Sequence, residues 1–183
     1  RTIPPRENGG NMDVKQMVEG TTLLLPCFID GCGFFIGDVH YAQGDGEVAG
    51  TAIEMGAVVT VTAEIRKGMA SLIKQPMFEG GSQIKKLEPD SFHAVVGYPF
   101  KKAGEIPPQW AYLDSAKIKP LTNLSNDVTL AARNSLITML DWLMATKGLT
   151  KEQALVVASV ACDLRISNVC LLYTSPSPRD GLL

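Results

Sequence analysis

Phe34-Phe35-Ile36-Gly37-Asp38-Val39-His40-Tyr41-Ala42-Gln43, then Gly44-Asp45-Gly46, then Val48-Ala49-Gly50-Thr51-Ala52-Ile53-Glu54-Met55 is the stretch on which the fold turns. It reads as strands over residues 34–43 and 48–55 joined by a dense glycine turn. Working outward, residues 20–30 are strongly apolar with Pro26 inside, which predicts an edge or bulged strand before a turn at Gly31 and Gly33. Residues 58–65, Val-Val-Thr-Val-Thr-Ala-Glu-Ile, are rich in β-branched side chains and predict a fourth strand. Residues 92–96 predict a shorter fifth before Gly97 and Pro99. Short strands at close spacing with turns between them point to an antiparallel, sandwich-like sheet rather than βαβ units.

The pattern changes near residue 120. Val128, Ala131, Ala132, Ser135, Leu136, Met139, Leu140 and Leu143 recur at helical spacing. Asn126 or Asp127 can cap that helix, Lys147 suits its negative end, and Gly148 supplies a left-handed stop. Thr150-Lys151-Glu152-Gln153 matches a capping box for a second helix running to about Ala161. The short link makes the two a hairpin. Residues 164–169 are expected to return to the sheet. The expected fold class is α+β and β-rich: an antiparallel sandwich-like sheet with a C-terminal helical hairpin packed on it.

Composition narrows the function. Across 183 residues, 17 Lys and Arg stand against 19 Asp and Glu, a net charge of −2, which excludes the basic excess of a dedicated nucleic-acid binder. The apolar fraction of 45% excludes intrinsic disorder. No apolar run approaches the ~20 residues of a membrane span. Cys27, Cys32, Cys162 and Cys170 sit among apolar residues without metal-site or redox spacing. They read as core or incidental thiols in a reducing cytoplasm. Residues 171–183 lack any period, carry Pro176, Pro178 and Gly181, and look like translated sequencing-adaptor read-through; they are expected to be a non-native or disordered tail.

Chemistry concentrates in residues 37–47. On a strand, positions two apart share a face, so Asp38 and His40 are expected to point together. A carboxylate and a neutral imidazole make half of a zinc site, and a further carboxylate could act as general base. Asp-Gly turns and a hydrogen-bonded strand histidine explain the same residues without function. Asn11 and Asp13, after Gly9-Gly10, could stand at a site mouth or simply form a loop. Glu54, in an apolar strand, needs a partner unless it faces water. His93 reads as a core or interface residue, and Trp142 as a core or subunit contact.

Several motifs together resemble the acetamidase/formamidase family of amidohydrolases. They are Pro4-Pro5-Arg6, Gly9-Gly10-Asn11-Met12-Asp13, the Gly-Asp-x-His-x-x-Gln-Gly-Asp-Gly-Glu run from Gly37 to Glu47, Thr51-Ala52-Ile53-Glu54, and Ala161-Cys162-Asp163-Leu164-Arg165-Ile166-Ser167. The resemblance implies that residues 1–170 are the C-terminal portion of a longer, β-rich, homo-oligomeric (dimeric) enzyme. It implies hydrolysis of a short aliphatic amide to carboxylate and ammonia with a divalent metal, zinc in the usual assignment. Carried onto this chain, it makes Asp38 and His40 metal ligands and Glu47 the general acid/base, with Gln43 and Asp45 beside it. Asn11, Asp13 and Glu54 become substrate-side residues. The rival readings are a non-catalytic β-sandwich subunit that keeps the motif for structure, and a carbohydrate-binding sandwich. The second needs a row of exposed aromatics, and at 7% aromatic content the sequence shows none.

Overall fold

The computed structural model describes residues 5–99 and 127–166. The chain divides into two units, Arg1–Phe92 with Ser159–Cys162, and His93–Ala158 with Asp163–Leu183. The first carries the strands: β1 (Thr22–Leu24), β2 (Val39–Ala42), β3 (Ile53–Met55) and β4 (Met77–Glu79), then a 3-10 helix over Ser82–Leu87. They form two separate two-stranded antiparallel sheets, β1 with β4 and β2 with β3. The second unit carries α1 (Val128–Lys147) and most of α2 (Lys151–Ala161), so the chain is α+β.

The helices follow local chemistry closely. Asp127 caps α1, its carboxylate accepting from the Leu130 amide at 3.0 Å, and Gly148 ends it at φ +66. At α2 the capping box closes in both directions. The Gln153 amide donates to Thr150 Oγ1 at 3.3 Å, and the Thr150 amide donates to Gln153 Oε1 at 2.9 Å. Leu140 and Leu143 of α1 and Ala154 and Ala158 of α2 are buried. His93 is exposed and not in a strand; its ring stacks on Trp142 at 4.0 Å between centroids. Gly97 lies against α1 so closely that a Cβ there would come within 2.1 Å of the Ala131 carbonyl oxygen.

The strands are shorter than their sequences suggest. Residues 20–30, 34–43 and 48–55 contribute three or four strand residues each, and residues 58–65 and 92–96 contribute none. β-Propensity describes the fit of a side chain to a pleated, half-buried surface, and it needs a partner strand to act. The 58–65 run has none among the described residues, and Val58 is 99% exposed. β4 arises in a segment with no alternation to announce it. Residues 164–166 are not a strand, and residues 167–169 lie outside the described residues, as do Asn126, Cys170 and the 171–183 tail.

One cysteine expectation is corrected. Cys27 and Cys32 form a disulfide across the Phe28–Gly31 turn, with Cα atoms 5.0 Å apart. Five-residue spacing around Asp30-Gly31 brings the two Cβ atoms together, which the apolar surroundings concealed. Disulfides persist in oxidising compartments, so cysteine usage no longer argues for a reducing cytoplasm. Among the described residues no helix is long and apolar enough to cross a membrane.

Candidate functional site

The site is built on the β2–β3 pair. His40 stands directly opposite Glu54 in the register. Opposed residues in an antiparallel pair leave the same face, close enough to interact. The register slips between His40 and Ala42, making Tyr41 the extra residue of a bulge that re-aims the strand end. Asp38 lies just before β2 at φ +60, a left-handed conformation. Strand alternation is therefore not what brings it to His40. The turn folds its carboxylate back, placing Oδ1 3.4 Å from His40 Nε2. Glu54 Oε2 approaches the same nitrogen to 3.2 Å.

The His40 side chain is only 11% exposed, against 63% for Asp38 and 55% for Glu54. Its Nε2 is buried and has no partner in hydrogen-bond geometry. The two carboxylates are near enough for ion pairing but misaligned as acceptors. Two overlapping sets share this imidazole, Asp13 with Asp38 and Glu54 with Glu47, each set with its ligand atoms within 4.8 Å of one another. A stranded buried nitrogen with carboxylate oxygens converging on it fits a divalent cation. One imidazole with several carboxylates is a donor set that zinc accepts and that oxygen-preferring ions accept equally.

Electrostatics set the two titrating groups apart. Burial works to lower the His40 pKa, but the hydrogen bond with Gln43 and the charges of Glu54 and Asp38 outweigh it, and the net shift is upward. The Glu47 carboxyl is also raised, first by burial and then by the Asp13 charge, with His40 opposing. Gln43 joins the parts: its Oε1 is 2.8 Å from His40 Nδ1 and its Nε2 donates to the Asp13 carbonyl at 2.5 Å.

The turn after β2 carries Glu47, at φ +38. It is pinned by Ser159, which is wholly buried. The Ser159 hydroxyl donates to the Thr51 carbonyl at 2.6 Å and accepts from the Ala49 amide at 3.1 Å, and its own carbonyl accepts from the Gly44 amide at 2.9 Å. A Cβ on Gly44 would lie 2.1 Å from the Cys162 carbonyl oxygen, so only glycine permits this approach.

The structure thus gathers Asp13, Asp38, His40, Gln43, Glu47 and Glu54. It does not bring Asp45 or Asn11 among them. Asp45 accepts from Gln16 Nε2 at 2.9 Å and lies 3.8 Å from Lys15 Nζ. Asn11 lines a largely apolar cavity of about 290 Å³ with Met12, Leu23 and Phe78. Sequence reasoning missed Ser159, Lys15 and Gln16. A serine one position past Ala158, beside the small residues Ala154 and Ala158 of α2, was a usable signal for the first; none marked the other two.

The model of the acetamidase/formamidase family matches residues 1–176. The acetamidase of Mycolicibacterium smegmatis is 30% identical over 163 residues, 86% of this chain and 35% of that protein. The formamidase of Methylophilus methylotrophus is 38% identical over 82 residues, 43% of this chain and 20% of that protein. The chain spans about a third or less of the length of these relatives. No solved structure matches it significantly.

Proposed function

The chain belongs to the acetamidase/formamidase family, and from that premise we propose that it forms part of an amidase acting on short aliphatic amides such as acetamide and formamide. The products are the carboxylate and ammonia. The observation that carries this reading is His40 Nε2, buried between Glu54 and Asp38 without a hydrogen-bond partner. His40 would hold a divalent cation together with carboxylates of the two sets that share its ring, Asp13 with Asp38 and Glu47 with Glu54. Such an ion, zinc in the simplest case, supplies Lewis acidity that polarises a carbonyl and eases proton loss from water.

The remaining chemistry belongs to the chain's own carboxylates. Glu47 is the general acid/base: its raised pKa moves it toward the working pH, where a group both accepts and returns a proton readily. It takes the proton from the attacking water and delivers it to the departing amine nitrogen. After burial, the Asp13 charge sustains that shift. The β2–β3 pair belongs in this reading to a larger sandwich-like sheet. Exposed apolar residues such as Phe35, Val58 and Ile65 support burial against that sheet or a second copy in a homodimer.

Ammonia release from acetamide and formamide tests the proposal in a full-length protein that carries this chain. His40→Ala is expected to abolish turnover. Turnover equal to the unsubstituted protein would refute it.

A further inference from the structure

Gln43 bridges two parts of the cluster that are distant in sequence. Its Nε2 donates to the Asp13 backbone carbonyl, and its Oε1 lies 2.8 Å from His40 Nδ1. A backbone carbonyl only accepts, so it selects the amide orientation: nitrogen toward Asp13, oxygen toward His40. An amide oxygen also only accepts, so His40 Nδ1 must donate. A neutral imidazole carries one ring proton. That proton is therefore on Nδ1, and Nε2 presents a bare lone pair.

Nε2 is the atom buried between Glu54 Oε2 at 3.2 Å and Asp38 Oδ1 at 3.4 Å. The opposite tautomer would aim an N–H at that point and block a cation. Histidine ligands ordinarily have the second nitrogen held by a carboxylate, carbonyl or water. Here an amide takes that part and is itself oriented by a carbonyl. The same side chain ties the ring to Asp13, which sits at φ +35 and so needs outside support to hold its place.

We infer that Gln43 is a positioning residue: anchored on the Asp13 carbonyl, its amide holds His40 in the Nδ1–H tautomer and leaves Nε2 open toward Glu54 and Asp38. The inference rests on reading this cluster as a cation site. It has a readout of its own, because the tautomer is observable without metal.

The experiment is long-range proton–nitrogen NMR of the full chain, metal-free and at alkaline pH where the ring is neutral. His40→Ala identifies the signal. The unsubstituted chain should show His40 protonated on Nδ1. Gln43→Met, which keeps the shape and removes both polar atoms, should lose that preference. Gln43→Glu keeps an acceptor for Nδ1 and should retain it. Zinc-ion affinity, measured by competition with a chromophoric chelator, should fall about 10–100-fold in Gln43→Met. Protonation of His40 on Nε2 in the unsubstituted chain overturns the inference, as does a Gln43→Met chain with unchanged tautomer and affinity. Should Gln43→Met fail to fold, the unsubstituted chain and Gln43→Glu still decide the tautomer. An Nδ1–H tautomer in a chain that binds no zinc would remove the cation-site reading and leave the Gln43 assignment standing.

Discussion

Replacing Ser159 with alanine removes one oxygen and tests how the Glu47 turn is held. That hydroxyl serves two backbone groups, the Thr51 carbonyl at 2.6 Å and the Ala49 amide at 3.1 Å. Each bond contributes about 1 kcal/mol net, and a buried backbone group left without a partner costs about 1–3 kcal/mol. Ala49 and Thr51 are only half-buried, so water can recover part of the loss, and the expected destabilisation is about 2 kcal/mol. With a urea m-value of about 1–3 kcal/mol/M, the unfolding midpoint should fall by about 1 M. Circular dichroism through a urea titration reads this directly. A midpoint shift that corresponds to less than about 0.5 kcal/mol of stability, the range of an ordinary surface substitution, would show that Ser159 does not pin the turn.

Three further outcomes follow from the same geometry. Gly44→Ala forces a methyl against the Cys162 carbonyl and breaks the Gly44–Ser159 bond; it should destabilise by about 1–3 kcal/mol in the same titration. Glu47→Gln should raise the melting temperature at neutral pH while removing amidase activity in the full-length protein. The raised Glu47 pKa means the folded state disfavours the charged carboxylate, a stability loss that sets in as pH rises through the carboxyl range and that glutamine avoids. For His40 the sign is opposite in the metal-free chain. Its raised pKa gives a stabilisation fully present below about pH 6.5, the unfolded value, and lost as pH rises through the folded value. The difference in urea midpoint between the chain and His40→Gln, followed against pH in EDTA, should shrink accordingly; a difference that grows with pH would contradict it.

What the sequence disclosed depended on how local the physics was. α1 and α2 are specified by period and by caps within four residues of their ends, and Asp127, Gly148, Thr150 and Gln153 take the positions their chemistry suggests. Strand length was not legible, because residues 58–65 have the composition of a strand but no partner among the described residues. The candidate site divides in the same way. The residue types between Asp38 and Glu47 announce themselves. Their assembly rests on non-local facts: the His40–Glu54 register, the bulge at Tyr41, and Gln43 reaching Asp13 thirty positions earlier. Asp38 meets His40 through a left-handed turn that alternation cannot describe. Asp45 has the same chemistry as its neighbours, and only the positions of Lys15 and Gln16 reveal that it faces elsewhere. The Cys27–Cys32 disulfide was hidden because apolar neighbours suit a buried thiol equally well.

The most direct test is the divalent metal content of the full-length protein, measured by elemental analysis after gel filtration and set beside His40→Ala and Glu54→Gln. Stoichiometric metal in the unsubstituted protein, absent from His40→Ala and reduced in Glu54→Gln, is the result expected if Nε2 anchors a cation. Equal metal in all three, or none in any, would contradict it.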